Sequence, residues 1–274
     1  MKLHVLDLGQ LTLDKNLMVA GSNVATRSHP HQPNEMIAVP VSSYCIEHQD
    51  GHIVFDTGCN PNAMGADGRW PDFLKELCPH SGGEECDLPN RLEQLGLGPN
   101  DIRYAVLSHL HNDHAGCVEY FRKSKIIVHE DEFCAALRNF GLRENNSPYV
   151  LKDIAEWTKV DLDWHLLSRD QVKVSLVDGV QIINLGSGHA QGMLALQIKS
   201  KELGGIILAS DAIYQRANYE APMRPAGVVL DPIGARRSVE VIRELARTTG
   251  STVWFGHDPE QFATLRKSTE GWYE

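Results

Sequence analysis

Short apolar runs recur along the chain, most of them the length of a buried strand. Leu3–Leu8, Ile37–Ile46, His52–Phe55, Tyr104–Ser108, Lys125–Val128, Val180–Asn184, Met193–Ile198, Ile206–Ala209 and Thr252–Phe255 are bounded by polar or turn-forming residues and predict strands. Helical spacing replaces this pattern in four places. Leu88–Leu95 stops at Gly96, and Asp131–Phe140 stops before Gly141. Ala235–Thr248 puts Val239, Ile242, Leu245 and Ala246 on one face before Gly250, and Pro259–Lys267 closes the series. Strands come first and helices are then mixed in, which predicts an α/β (α+β) domain over residues 1–274, with sheets packed together and helices outside. Met18–Asn34 and Arg69–Pro89 show no period. They read as long loops, either surface excursions or segments that bind or cover a ligand.

Composition narrows the class. With 42% hydrophobic and 23% charged residues the balance is globular. No apolar run approaches the ~20 residues of a membrane span. Met1–Leu8 carries one Lys and is interrupted by Asp7, unlike a signal peptide, so a cytoplasmic location is expected. Thirty-six acidic against 26 basic residues give a net charge of −10 with no basic tract, which argues against a nucleic-acid partner. Six cysteines form no CxxC pair and are expected as free thiols.

The chemistry concentrates in Ser108-His109-Leu110-His111-Asn112-Asp113-His114-Ala115-Gly116. Four metal-capable side chains fall within six residues, directly after an apolar strand. Imidazole and carboxylate ligands suit zinc and its first-row neighbours. His109 and His111 can share one ion while Asp113 and His114 face a second, and Ala115-Gly116 leaves room for close backbone approach. A polar loop with incidental histidines does not account for this density. The cluster alone cannot complete two shells, because catalytic zinc takes three protein ligands plus water. Three further candidates stand at strand ends: His189 in Leu185-Gly186-Ser187-Gly188-His189, Asp211 in Leu208-Ala209-Ser210-Asp211, and His257 in Phe255-Gly256-His257. Alone, each reads as a hydrogen-bonding residue; beside the first cluster, each reads as a ligand.

HxHxDH followed by single His, Asp and His at strand ends resembles the metallo-β-lactamase superfamily, from Leu3 to about Phe262, with Phe55-Asp56-Thr57-Gly58 matching its early DTG element. The resemblance implies a four-layer αββα sandwich, the metallo-β-lactamase fold, with the site at the edge where two sheets meet. It implies two Zn2+ per chain. His109, His111 and His189 would hold one, Asp113, His114 and His257 the other, and Asp211 would bridge both together with a hydroxide. Within the superfamily the chain is similar to the N-acyl-homoserine lactonases. The matching segments are HLHNDHAG at His109–Gly116, GHAQG around His189, Ser210-Asp211-Ala212-Ile213-Tyr214, GRWP at Gly68–Pro71, and FGHDPEQF at Phe255–Phe262.

That likeness implies quorum quenching by ring opening. The bridging hydroxide would attack the lactone carbonyl, and Tyr214 would help steady the oxyanion. Asp113 would carry a proton to the departing ring oxygen. Asp56 is read as orienting a ligand histidine, and His129 as an ordinary hydrogen-bonding residue. Met18, Val19, Trp70 and Phe73 either line an acyl groove or pin the loops to the core. Export-dependent antibiotic hydrolases, thioesterases with an added C-terminal helical domain, RNA-processing members and diiron members with Glu at position 111 all fit less well. The alternative is a lactonase for a simple lactone such as γ-butyrolactone. A sensor without turnover is disfavoured by the open water position, and a phosphodiesterase by the acidic balance. The expected partner is a small-molecule lactone, with no nucleic acid and no membrane, for a monomer or homodimer.

Overall fold

Strands covered on both faces carry apolar residues without interruption, as do Ile53-Val54-Phe55, Ile126-Ile127-Val128 and Ile206-Ile207-Leu208. The computed structural model describes residues 1–274 and shows what covers them. In chain order the strands are β1 (Lys2–Asp14), β2 (Met36–Glu47), β3 (His52–Phe55), β4 (His80–Ser81), β5 (Ile102–Val106), β6 (Lys125–His129), β7 (Asp163–Leu167), β8 (Lys173–Val177), β9 (Val180–Gly186), β10 (Met193–Ser200), β11 (Gly204–Leu208) and β12 (Thr252–Trp254). The helices are α1 (Lys15–Met18), α2 (Asp72–Leu77), α3 (Leu88–Gln94), α4 (Glu130–Leu142), α5 (Leu151–Trp157), α6 (Pro232–Thr249) and α7 (Pro259–Thr264). One sheet has the order β4-β1-β2-β3-β5-β6-β7 and the other β12-β11-β10-β9-β8.

Three apolar layers hold this together. Val5, Ile53, Phe55, Val106 and Ile127 of the first sheet meet Ile182, Leu194, Leu196, Ile206 and Leu208 of the second. On the far side of the first sheet, Val54, Ala105, Ile126 and Val128 pack with Leu88 and Leu92 of α3, Ala136 of α4 and Ile154 of α5. On the far side of the second, Ile183, Ala195, Ile207 and Val253 lie under Val239, Ile242, Leu245 and Ala246 of α6. The result is the expected helix–sheet–sheet–helix sandwich. The α6 boundaries follow local chemistry: Asp231 accepts from the Ile233 and Gly234 amides at one end, and Gly250 closes the other at φ 67°.

Several elements differ from the sequence expectation. Arg69–Pro89 is not a bare loop, since it contains α2, β4 and the start of α3. β1 continues past Leu8 because Gly9, at φ 87°, sits in a register shift between Asp7 and Gln10 that breaks the apolar run without ending the strand. α4 runs through Gly141 and ends against Arg143 at φ 57°. α5, β7 and β8 were not expected. β8 did carry a signal: Val174 and Leu176 alternate with polar residues, and Asp178-Gly179 is a two-residue hairpin turn with Val177 opposite Val180.

β3, β5, β6 and β7 run parallel to one another. β9 and β11 are both antiparallel to β10, and β12 is parallel to β11, so these three share a direction. The segments that follow β9, β11 and β12 therefore leave the second sheet on one side, where the backbone bond from Leu194 N to Ser108 O joins it to the segment that follows β5, and these four segments carry the candidate ligands. No helix is long and apolar enough to cross a membrane. All six cysteines are free.

Candidate metal centre

Seven buried side chains converge where those segments meet. His189 Nε2 lies 3.2 Å from His109 Nε2 and 2.8 Å from His111 Nδ1. Beside this trio, Asp113 Oδ2 lies 3.5 Å from His114 Nε2 and 3.4 Å from His257 Nε2. Asp211 stands between the two groups. Its Oδ2 is 3.3 Å from His189 Nε2 and 3.8 Å from His109 Nε2, while its Oδ1 is 3.3 Å from His114 Nε2 and 3.0 Å from His257 Nε2.

The electrostatics divide along the same line. Burial lowers the affinity of His109, His111 and His189 for a proton, and neighbouring histidines lower the first two further, so all three imidazoles are neutral with lone pairs to offer. Burial also opposes charge on His114 and His257, but Asp113 and Asp211 outweigh it and raise both. The carboxylates respond in kind. Against the cost of burial, His114 and His257 hold Asp113 at about 2 and Asp211 well below the usual carboxylate range.

This donor set fits metal ions. Three neutral imidazole nitrogens pointing at one another cannot all be satisfied by shared protons, whereas one cation satisfies them together. His114 Nε2 and Asp211 Oδ1 are buried without a hydrogen-bond partner. The side chains form three overlapping groups whose ligand atoms lie within 4.8 Å of one another: His109/His111/His189, His109/His114/Asp211 and Asp113/His114/His257.

The turn after β3 holds this arrangement from behind. Asp56 Oδ1 accepts from the Ser108 amide at 2.7 Å. Its Oδ2 accepts from His114 Nδ1 at 2.9 Å and from the hydroxyls of Ser108 and Ser210 at 2.8 and 3.1 Å. Ser108 Oγ lies 2.9 Å from His109 Nδ1, so one carboxylate orients a histidine of each trio. Asp56 (φ 62°) and Ser210 (φ 46°) both sit in the left-handed region, a strain of about 1–3 kcal/mol each that this network holds in place. Thr57 N and Oγ1 both donate to the His114 carbonyl. Gly116 is pressed so closely on Cys59 and Asn60 that a methyl group there would overlap their backbone, which explains the glycine ending the motif.

Tyr214 is buried against His189. With His189 Nε2 turned to the other imidazoles, its Nδ1 carries the proton and donates to the Tyr214 hydroxyl at 2.7 Å; that hydroxyl in turn donates to the Val228 carbonyl at 3.2 Å. Burial, with Asp211 and Asp113 nearby, pushes the phenol well above its ordinary value and keeps it a donor. His129 Nδ1 accepts from the Asp131 amide and caps α4, as an ordinary hydrogen-bonding residue. Met18, Val19 and Trp70 belong to the core and pin their loops to it, and Phe73 is half-buried against the same cluster.

Ser108, Ser210, Glu132 and Tyr149 also belong to this neighbourhood and were not singled out from the sequence. Glu132 left one trace there: it shares a buried i, i+4, i+7 stripe with Ala136 and Asn139, an odd place for a carboxylate.

Known proteins resemble this chain in sequence and fold. The sequence model of the metallo-beta-lactamase superfamily matches residues 36–257. N-acyl homoserine lactonase AiiB of Agrobacterium fabrum is 49% identical over 273 residues, covering 100% of this chain and 99% of its own. N-acyl homoserine lactonase AiiA of Bacillus thuringiensis subsp. kurstaki is 30% identical over 85% of this chain and 87% of its own. A solved N-acyl homoserine lactone hydrolase, with N-hexanoyl-L-homoserine bound at its catalytic metal centre, superposes with a TM-score of 0.81 at 28% identity, covering 100% of this chain and 98% of that one. The chain belongs to the metallo-beta-lactamase superfamily and, within it, to the N-acyl homoserine lactonases.

Proposed function

We propose that this protein is a quorum-quenching hydrolase that opens the ring of N-acyl homoserine lactones, using two Zn2+ held by the seven converging side chains. The observation that carries this reading is Asp211, whose two oxygens face different histidine groups at 3.0–3.8 Å. His109, His111 and His189 would hold one ion, Asp113, His114 and His257 the other, and Asp211 both. When bound, zinc supplies a hydroxide near neutral pH and draws electron density from the lactone carbonyl.

The chain's own groups do the rest. Tyr214 redirects its proton from the Val228 carbonyl, a long 3.2 Å partner, to the carbonyl oxygen of the lactone. Asp113 would take the proton of the hydroxyl newly added to the carbonyl carbon and pass it to the departing ring oxygen, so that ring opening leaves a carboxylate and a free hydroxyl. Six free thiols fit a reducing compartment such as the cytoplasm.

The test is acid release by the zinc-loaded protein from short- and long-chain N-acyl homoserine lactones and from γ-butyrolactone. Preference for the acylated substrates is the expected result. Burial of Met18, Val19 and Trp70 favours loop anchoring over a groove for three of the four residues that could have served either, and so keeps the simple lactone as the second reading. Preference for γ-butyrolactone would establish it. No ring opening with two ions bound would overturn both.

Tyr214→Phe is expected to lower kcat about a hundredfold, the scale of removing one oxyanion donor, with zinc content unchanged. Loss of zinc instead would show that the hydroxyl serves only to orient His189.

A further inference from the structure

We propose that Glu132 is a positioning residue whose carboxylate ties the two ligand-bearing loops of the metal centre to each other, holding His109 and His111 in register with His189. The inference rests on the metal reading above.

Glu132 lies in the first turn of α4 and is fully buried. Its Oε1 accepts from the Leu110 amide at 3.0 Å, and Leu110 sits between His109 and His111. Its Oε2 accepts from the Gly192 amide at 3.2 Å, three residues beyond His189. The two loops belong to different sheets, one following β5 and the other β9. A single side chain from a third element thus spans the junction, alongside the backbone bond from Leu194 N to Ser108 O at 2.9 Å.

The surroundings tighten the tie. A methyl group on Gly192 would overlap the ring of His129, the residue that caps α4, so the His189 loop lies directly on the start of that helix. Tyr149 adds a third contact. Its hydroxyl donates to Glu132 Oε2 at 3.1 Å, and its ring meets the His111 ring edge-on with centroids 5.2 Å apart. Burial pushes the Glu132 carboxyl up to about 7, while these three donors pull it back. Only a carboxylate offers acceptors on both sides. A glutamine of the same shape would turn an NH2 group toward one set of donors and leave them unpaired.

The experiment compares the full-length protein with Glu132→Gln and Tyr149→Phe, each loaded with zinc or cobalt(II), without relying on lactone hydrolysis. Metal release to a chelator and the cobalt absorption spectrum are read. Glu132→Gln is expected to release metal about 10- to 100-fold more readily, the usual scale for groups that orient ligands, with a shifted cobalt spectrum. In turnover its loss would fall on kcat rather than KM. Tyr149→Phe should move the same readouts in the same direction by a smaller factor. A Glu132→Gln protein that melts at lower temperature but keeps wild-type metal retention and spectrum would reduce Glu132 to scaffold and overturn the proposal. Should Glu132→Gln not fold, Tyr149→Phe decides: faster release supports the tie and unchanged release overturns it. Failure of the wild type to hold metal would instead bring down the metal reading, and this inference with it.

Discussion

Asp211→Ala is expected to lower lactone hydrolysis by at least about a thousandfold and to cut the zinc content from two ions per chain to one or fewer. No other side chain of the seven faces both histidine groups with separate oxygens. Its removal takes a donor from each side at once. It also deletes one of the two carboxylates common to His114 and His257, so those rings meet a weaker field in which to hold a cation. Metal activation of water and carbonyl is worth several kcal/mol, and about 4 kcal/mol corresponds to about a thousandfold in rate. Asp211→Asn, which keeps one oxygen without the charge, should fall between wild type and alanine. Metal analysis beside kcat/KM settles the matter: an alanine variant with two zinc ions and activity within about tenfold of wild type would remove Asp211 from its proposed place.

Stripping the metal should have the second large effect, this time on stability as well as activity. The chelated protein is expected to be inactive, to recover with zinc, and to unfold at a markedly lower temperature. In the metal-free site, three buried imidazoles direct lone pairs at one another, and His114 Nε2 and Asp211 Oδ1 lack partners. Such unsatisfied groups destabilise the folded state until a cation engages them. By linkage, an ion present at about a thousand times its Kd adds about 4 kcal/mol. At about 2 °C per kcal/mol for a chain of this size, two ions raise Tm by roughly 15 °C. Thermal unfolding with and without zinc measures the difference, and equal midpoints would mean that the cluster does not bind metal in the folded protein.

The candidate site was more legible in the sequence than the elements around it. His109, His111, Asp113 and His114 announce themselves because they are contiguous. His189, Asp211 and His257 became readable only through their placement after apolar runs, and the fold does bring those strand ends to one edge. Glu132 left little more than a trace because two of its three partners are the backbone amides of Leu110 and Gly192, and no residue type encodes an amide. The loop residues Met18 and Trp70 were ambiguous, since an apolar side chain in a loop looks the same whether it lines a groove or anchors the loop. α2 and β4 escaped because six residues and two residues are too few to express a period. In β8, by contrast, the Asp178-Gly179 turn was present and its flanking alternation went unread.

The division of the proposed ligands between the two sheets also imposes a chronology. Each proposed trio takes two side chains from the segment after β5 and one from the second sheet, His189 or His257. A chain that has paired only its first sheet therefore offers two donors per ion and no shared carboxylate. During synthesis, His257 emerges after all twelve strands, with α7 and the residues beyond it still to follow. Metal capture is thus expected to be a late event, one that registers when the halves have docked rather than when strands have formed. In refolding, cobalt colour should trail the recovery of secondary structure, which makes the centre a built-in clock for assembly.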